Sequence, residues 1–308
     1  MRAQRVLKIL SKWFKLKSMT TATLLVSCPD QKGLVAKISD WVFSHGGNIL
    51  HADQHADSTA GLFLMRVEWE LDTFDLAKAE IAPTFEKLAI EIYAKWNIQF
   101  SDYVRRIAIF VSKQDHCLYD LILRQRSHEL SAVIPVVISN HPDLEKVAHN
   151  FGINYHHIAI AAENKREQEQ QQLAILKQYK IDLVVLAKYM QVLSPDFLTQ
   201  FPQVINIHHS FLPAFAGANP YHRAYKRGVK IIGATAHYVT DELDEGPIIE
   251  QDVIRVSHRD SVVDLIRKGK DLERIVLARA VRQHLQNRVL VYGQSADSGL
   301  GLRTVVFD

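Results

Sequence analysis

The sequence predicts two α/β domains, a small ferredoxin-like βαββαβ unit followed by a larger, mostly parallel, doubly wound sheet. Three observations lead there. The chain has 308 residues, more than one typical domain holds. Between Thr21 and Phe100 the hydrophobic rhythm runs strand, helix, strand, strand, helix, strand. From Arg105 onward, short continuous apolar runs alternate with helical stretches, as they do when strands are buried on both faces. The expected boundaries are a basic extension over 1–18, the small domain over 19–101, the large domain over 105–293 and a tail over 294–308.

In the extension, Arg2, Arg5, Lys8, Lys12, Lys15 and Lys17 sit among apolar residues with no acid. A helix of this kind fits a surface-binding or transit-like segment. Foldable pattern starts only at Thr21, so the favoured expectation is an extension ahead of a functional start at Met19. Thr21–Ser27 is rich in β-branched and apolar residues and reads as a strand. After the turn cluster 29–33, Leu34, Ile38, Trp41 and Val42 recur at helical spacing, and Gly46-Gly47-Asn48 ends that helix. Strands follow at Ile49–Ala56 and Leu62–Glu70 around a polar turn, then a helix near Leu76–Tyr93 and a strand near Trp96–Phe100.

In the large domain, strands are expected at Ile107–Val111, Val133–Ser139, Leu183–Leu186 and Val204–His208. Helices are expected near Cys117–Glu129, Asp143–His149 and Glu163–Tyr179. A strand from Gly233, an acidic loop closed by Gly246-Pro247, a strand over Ile248–Val256 and a helix over Ser261–Gln286 complete it. Ligands of such sheets bind beyond the carboxyl ends of the strands.

Composition narrows the function. A 47% hydrophobic, 23% charged chain can bury a large core, and a net charge of +3 offers no dense basic face, so no nucleic-acid partner is expected. No apolar run reaches the length of a membrane span, so no membrane partner is expected either. Two isolated cysteines, Cys28 and Cys117, make neither a disulfide framework nor a zinc cluster; they point to a reducing cytoplasm and to no metal site.

The stretch most suggestive of chemistry is Val204-Ile205-Asn206-Ile207-His208-His209-Ser210-Phe211-Leu212-Pro213. Asn206 and His208, two apart on a strand, point to one side at its end. Downstream, His237 precedes an acidic loop that holds Asp244 just before Gly246-Pro247. Taken singly, Asn206 and Asp244 read as turn residues and His208 as structural. Together they supply a carboxamide donor for a developing oxyanion, an imidazole, which titrates near neutral pH, to move a proton, and a carboxylate to orient it.

Asn-x-His before Leu-Pro, then a histidine followed seven residues later by aspartate, then Gly-Pro, resembles the active site of enzymes that use 10-formyltetrahydrofolate. The resemblance covers roughly 105–292, and the chain from Thr21 as a whole is similar to the formyltetrahydrofolate deformylases. It implies Asn206, His208 and Asp244 as the catalytic set, with His237 and His209 in support. It implies that folate lies along Tyr189, Met190, Gln191 and Leu193 and on the loop Thr240, Asp241, Glu242 and Leu243. Gln191 stands where many relatives carry arginine, which puts a contact to the folate tail in doubt. The folate is then the substrate, and no separate cofactor is expected.

The small domain resembles the ACT domain, a regulatory module that often binds amino acids, on Asp30-Gln31-Lys32-Gly33-Leu34 and Gly46-Gly47-Asn48-Ile49. The resemblance implies Asp30, Gly33, Leu34, Asn48 and Ile49 as effector contacts, glycine or methionine as effector, and a homo-oligomer. The glycines serve equally well as plain turn and cap residues.

Transferases with this site hold their acceptor's phosphate on a glycine-rich loop after the first strand. Here Val111-Ser112-Lys113-Gln114-Asp115-His116-Cys117-Leu118 contains no glycine, and Asp115 repels phosphate. His209 also stands where the transferases usually carry proline. A methionyl-tRNA formyltransferase needs a C-terminal tRNA-binding domain for which the sequence leaves no room. The expectation is therefore hydrolysis of 10-formyltetrahydrofolate to formate and tetrahydrofolate, feeding formate to purine synthesis and balancing the one-carbon pool. The alternatives are a phosphoribosylglycinamide formyltransferase, or an amino-acid sensor with an inactive enzyme-like domain.

Overall fold

The structure, a computed structural model, describes residues 20–159, 161, 164–214, 220–293 and 301–308. The expected basic extension, and Met19 as a start, lie outside the described residues. The chain divides into one unit up to Tyr103, to which Phe307–Asp308 belong, and a second over Val104–Val306.

The first unit is the expected βαββαβ order: β1 (Thr21–Pro29), α1 (Leu34–Ser44), β2 (Ile49–Asp57), β3 (Leu62–Glu70), α2 (Lys78–Glu91) and β4 (Lys95–Phe100). Its sheet is antiparallel throughout, in the order β2-β3-β1-β4. β1 pairs on both sides, and its β-branched run is buried from Thr21 to Cys28. Leu34, Ile38 and Val42 of α1 lie one turn apart and pack with Trp69, Ile81 and Phe85, each fully or almost fully buried, into one core.

The second unit holds β5 (Arg105–Val111), α3 (His116–Arg126), β6 (Ala132–Ser139), α4 (Glu145–Asn150), β7 (Asn154–His157), α5 (Lys165–Gln178), β8 (Leu183–Leu186), α6 (Pro195–Gln200) and β9 (Val204–His208). It continues through α7 (Pro220–Arg227), β10 (Ile231–Tyr238), β11 (Ile248–Arg255), α8 (Val262–Leu285), β12 (Val289–Tyr292) and β13 (Arg303–Val306). Its main sheet runs β11-β10-β9-β8-β5-β6-β7, with β5 to β9 parallel and β10 antiparallel to both neighbours. That bears out the mostly parallel sheet. Val184, Val185, Val204 and Ile205 are completely buried, as their unbroken apolar runs require.

Five short elements, β7, α6, α7 and the paired β12 and β13, escaped the sequence reading. β7 is a polar edge strand, Asn-Tyr-His-His, without the apolar run of its neighbours. α6 has a plain start signal, Ser194 accepting from the Phe197 amide with Pro195 at the first helical position, but only six residues. α7 is an eight-residue helix whose mean hydropathy is low. β13 pairs antiparallel with β12, so part of the stretch expected as a tail is a strand of the second unit.

Candidate active site

β9 fixes the site. It pairs in parallel with β8, placing Leu186 opposite Asn206, and antiparallel with β10, placing His237 opposite Asn206 and Thr235 opposite His208. Val204, Ile205 and Ile207 are buried in the core, and Asn206 and His208 alternate with them at the strand's carboxyl end.

The side chains form a directed set of hydrogen bonds. His237 Nδ1 lies 2.9 Å from the Tyr238 carbonyl oxygen, so this nitrogen carries the proton. His237 Nε2 is then an acceptor, and Asn206 Nδ2 donates to it over 3.2 Å. That bond fixes which end of the Asn206 carboxamide is the donor end and leaves its second N–H for a ligand. On the neighbouring position, His208 Nδ1 donates to Asp244 Oδ2 at 3.1 Å. His208 Nε2 is buried and has no hydrogen-bond partner among the described residues. A buried polar atom of this kind calls for a partner, and a reacting group supplies one. Burial is the largest single influence and pushes the Asp244 carboxyl up, but His208 and then His237 together more than offset it and hold the group well below the usual carboxylate range. Asp244 Oδ1 is 3.7 Å from His237 Nε2, too far for a hydrogen bond, so His208 is its main partner.

The loop that carries Asp244 is bent for this purpose. Asp244 has φ of 60°, a left-handed conformation that aspartate tolerates better than most residues. Two residues on, a Cβ on Gly246 would lie 1.7 Å from the Tyr238 carbonyl oxygen, so only glycine lets the loop close against the end of β10.

These residues line a cavity of about 560 Å³, a volume suited to a ligand of folate size. Of the expected folate residues, Tyr189, Met190, Gln191, Leu193, Thr240, Glu242 and Leu243 line it, and Asp241 does not. Tyr189 is a fixed wall: its hydroxyl accepts from Gln172 Nε2 at 3.0 Å and its ring meets Phe110 edge-on at 5.3 Å. Met190 and Leu243 are 60% and 65% exposed, apolar surface that a bound ring system would cover.

Another part of the lining is charged. His209 stacks on His208 at 4.8 Å. Burial, the Lys188 ammonium and His208 push the His209 imidazole down to about 4, so it is neutral, and Lys188 Nζ donates to its Nδ1 at 3.2 Å. Lys188 Nζ also lies 3.4 Å from Glu273 Oε1. Glu273, on α8, further accepts from Tyr221 and from His116 Nε2, each at 2.7 Å. Burial pushes the Glu273 carboxyl up, and Lys188, His116 and Tyr221 more than offset it, bringing it to about 2. Sequence reading named His209 but missed Lys188, Tyr221 and Glu273 as site residues. One signal was present: Glu273 follows Leu272 and precedes Val276 and Leu277 on the buried stripe of a helix, where an unpaired acid is costly.

In the first unit, Gly33 has φ of 88° and caps α1, and Leu34 is a buried core residue. Asp30 donates its amide to the Gly61 carbonyl, and Asn48 accepts at its carbonyl from the Glu70 amide. Ile49 packs half-buried against the core. Of the five expected effector residues, the side chains of Asp30 and Asn48 are exposed, while those of Leu34 and Ile49 serve packing.

The sequence model of the formyl transferase family matches residues 105–281, the segment that carries every residue of the catalytic set. A solved structure of a glycinamide ribonucleotide transformylase from Symbiobacterium toebii aligns with a TM-score of 0.61 at 32% identity, covering 69% of this chain and 98% of its own. A formyltetrahydrofolate deformylase from Synechocystis is 63% identical over 287 residues, 93% of this chain and 98% of that protein. The Escherichia coli K12 formyltetrahydrofolate deformylase is 44% identical over 280 residues, 90% of this chain and 97% of its own. The crystal structure of a formyltetrahydrofolate deformylase from Pseudomonas syringae superposes with a TM-score of 0.90 at 44% identity, over 98% of this chain and 99% of that one. The chain belongs to the formyltetrahydrofolate deformylase family.

Proposed function

We propose that this protein hydrolyses 10-formyltetrahydrofolate to formate and tetrahydrofolate. The observation that carries the reading is the available nitrogen of His208: Nδ1 is committed to Asp244, and Nε2 is a buried base with no hydrogen-bond partner among the described residues. Water loses a proton to that nitrogen as its oxygen bonds to the formyl carbon, and negative charge moves to the formyl oxygen. The second N–H of Asn206 stabilises that oxyanion, and Asp244 stabilises the imidazolium. Collapse breaks the carbon–N10 bond, His208 returns its proton to N10, and formate and tetrahydrofolate leave. No further cofactor enters this reaction.

The transferase alternative finds little support. In the glycine-free stretch after β5, Ser112 Oγ donates to Asn140 at 2.7 Å and accepts from the Met190 amide at 3.0 Å, so its hydroxyl is already committed. The catalytic set likewise argues against a pure amino-acid sensor. The finer parts of the proposal are a supply of formate for purine synthesis, a regulatory ACT role for the first unit with an amino acid such as glycine or methionine as effector, a homo-oligomer, and a place in the cytoplasm. No helix among the described residues is long and apolar enough to cross a membrane. Incubating the purified protein with the formyl donor and no acceptor tests the reaction; stoichiometric formate is expected, and its absence refutes it.

A further inference from the structure

Lys188 is a costly residue at its position. It has φ of 64°, in the left-handed region that favours glycine, and its side chain is only 5% exposed. Its ammonium lies between the neutral His209 ring and the Glu273 carboxylate, which is itself 1% exposed. Burying two charges carries a desolvation cost that their attraction rarely more than repays, so a pair kept in a cavity wall marks a requirement other than stability. The remaining bonds brace it. Both Glu273 oxygens are occupied, Oε1 by Lys188 and Tyr221 and Oε2 by His116. Tyr221 reaches Glu273 because position 269 is glycine; a Cβ there would lie 2.1 Å from the Tyr221 hydroxyl. The cluster contacts the catalytic set through His209, whose ring is stacked on His208. Lys188, Tyr221 and Glu273 all line the same cavity as His208 and Asn206.

We propose that Lys188 and Glu273 are specificity-determining residues, an ion pair that fills the space beside His208 from which a nucleophile reaches the formyl carbon and so admits water while shutting out amines with further atoms attached. This rests on the hydrolase reading and adds to it the device that selects the acceptor. The expected folate segment, Tyr189 to Leu193, follows Lys188 directly in the chain, so one turn serves both substrates: apolar residues hold the folate and Lys188 shapes the neighbouring acceptor space. In the reaction an amine would undergo, a carbon–nitrogen bond forms at the formyl carbon, the carbon–N10 bond breaks, and the amine's proton passes through His208 to N10. Nothing in the catalytic set forbids that step; what forbids it is the room.

The test is a product ratio, which does not depend on how much enzyme is folded. Wild-type protein and the double variant Lys188→Gly/Glu273→Gln are given 10-formyltetrahydrofolate with hydroxylamine, methoxyamine or glycinamide, and formate and N-formyl product are both quantified. Glycine suits the backbone at position 188, and glutamine leaves no buried charge unpaired, so the variant is built to fold. Wild type is expected to yield formate, with N-formyl product falling steeply as the amine grows. The variant is expected to raise the N-formyl-to-formate ratio for glycinamide by about tenfold or more, the discrimination a filled pocket commonly gives. An unchanged ratio overturns the proposal, as does loss of both products with folate binding retained, because that would put the pair in the chemistry itself. If that variant does not fold, Lys188→Asn/Glu273→Gln, in which asparagine tolerates the left-handed backbone, the side chain is shorter than lysine and no buried charge is left unpaired, decides by the same ratio. Failure of the underlying hydrolase reading is distinct, since wild type would then release no formate.

Discussion

Replacing Asp244 with asparagine keeps the size of the side chain and removes the charge that makes His208 a base. In the structure the carboxylate oxygen is 3.1 Å from His208 Nδ1, and the side chain is only 10% exposed. As His208 takes up the water's proton, the imidazolium and carboxylate charges lie roughly 4 Å apart, an interaction of about 4 kcal/mol at an effective dielectric of about 20. None of it exists before proton transfer, so the loss falls on kcat and amounts to about three decades. Asparagine adds a second penalty, because its N–H₂ favours the tautomer with the proton on Nε2 and blocks the base. The assay is steady-state formate release with KM measured in parallel. An Asp244→Asn enzyme that keeps more than about a tenth of wild-type kcat, or one whose defect lies wholly in KM, refutes the relay from Asp244 through His208 to water.

Other changes separate the remaining roles. Asn206→Ala removes the oxyanion donor and is expected to cost about two to three decades in kcat with folate binding retained, read by turnover and by fluorescence titration. Leu243→Ser, at the cavity mouth, should raise KM about tenfold and leave kcat near wild type, since it touches the folate surface and not the chemistry. Gly246→Ala forces a Cβ into the Tyr238 carbonyl and should displace Asp244, lowering kcat more than tenfold by rough estimate while the second unit's β10 and β11 stay folded by hydrogen exchange. The pH dependence of stability has a definite sign. His209 and His284 are held neutral by burial, lowered from 6.5 to about 4 and about 3. The unfolded chain therefore binds protons first, and stability present above pH 6.5 drains away as pH falls through the range below it. Denaturant unfolding at about pH 7.5 and about pH 5 should show the fall, and His284→Gln should lessen it.

How much of this was visible in the chain follows from the range of each signal. β8, β9 and β3 were legible to the residue because their apolar or alternating runs stand out against the polar and turn residues near either end. Asn206 and His208 were legible because two residues on one strand carry their geometry with them, and Asp244 because the Gly-Pro pair beside it fixes where the loop turns. β7 was not, because its four residues are polar and carry no apolar run, and α6 and α7 were not, because six and eight residues are too few for a helical period to outweigh composition. The Lys188–Glu273 pair was invisible for a different reason. Its two members are 85 residues apart, and only the packing of α8 beside the end of β8 makes the lysine and the acid one object. Asp241 shows the opposite limit: a motif can place a loop at a cavity without telling which of its residues faces in.

The nucleophile is the crux. Turnover of 10-formyltetrahydrofolate in water enriched in the heavy oxygen isotope, with no acceptor present, should give formate carrying one solvent oxygen per molecule, in step with tetrahydrofolate. Formate without the solvent label, or tetrahydrofolate formed without formate, would contradict attack by water at this site.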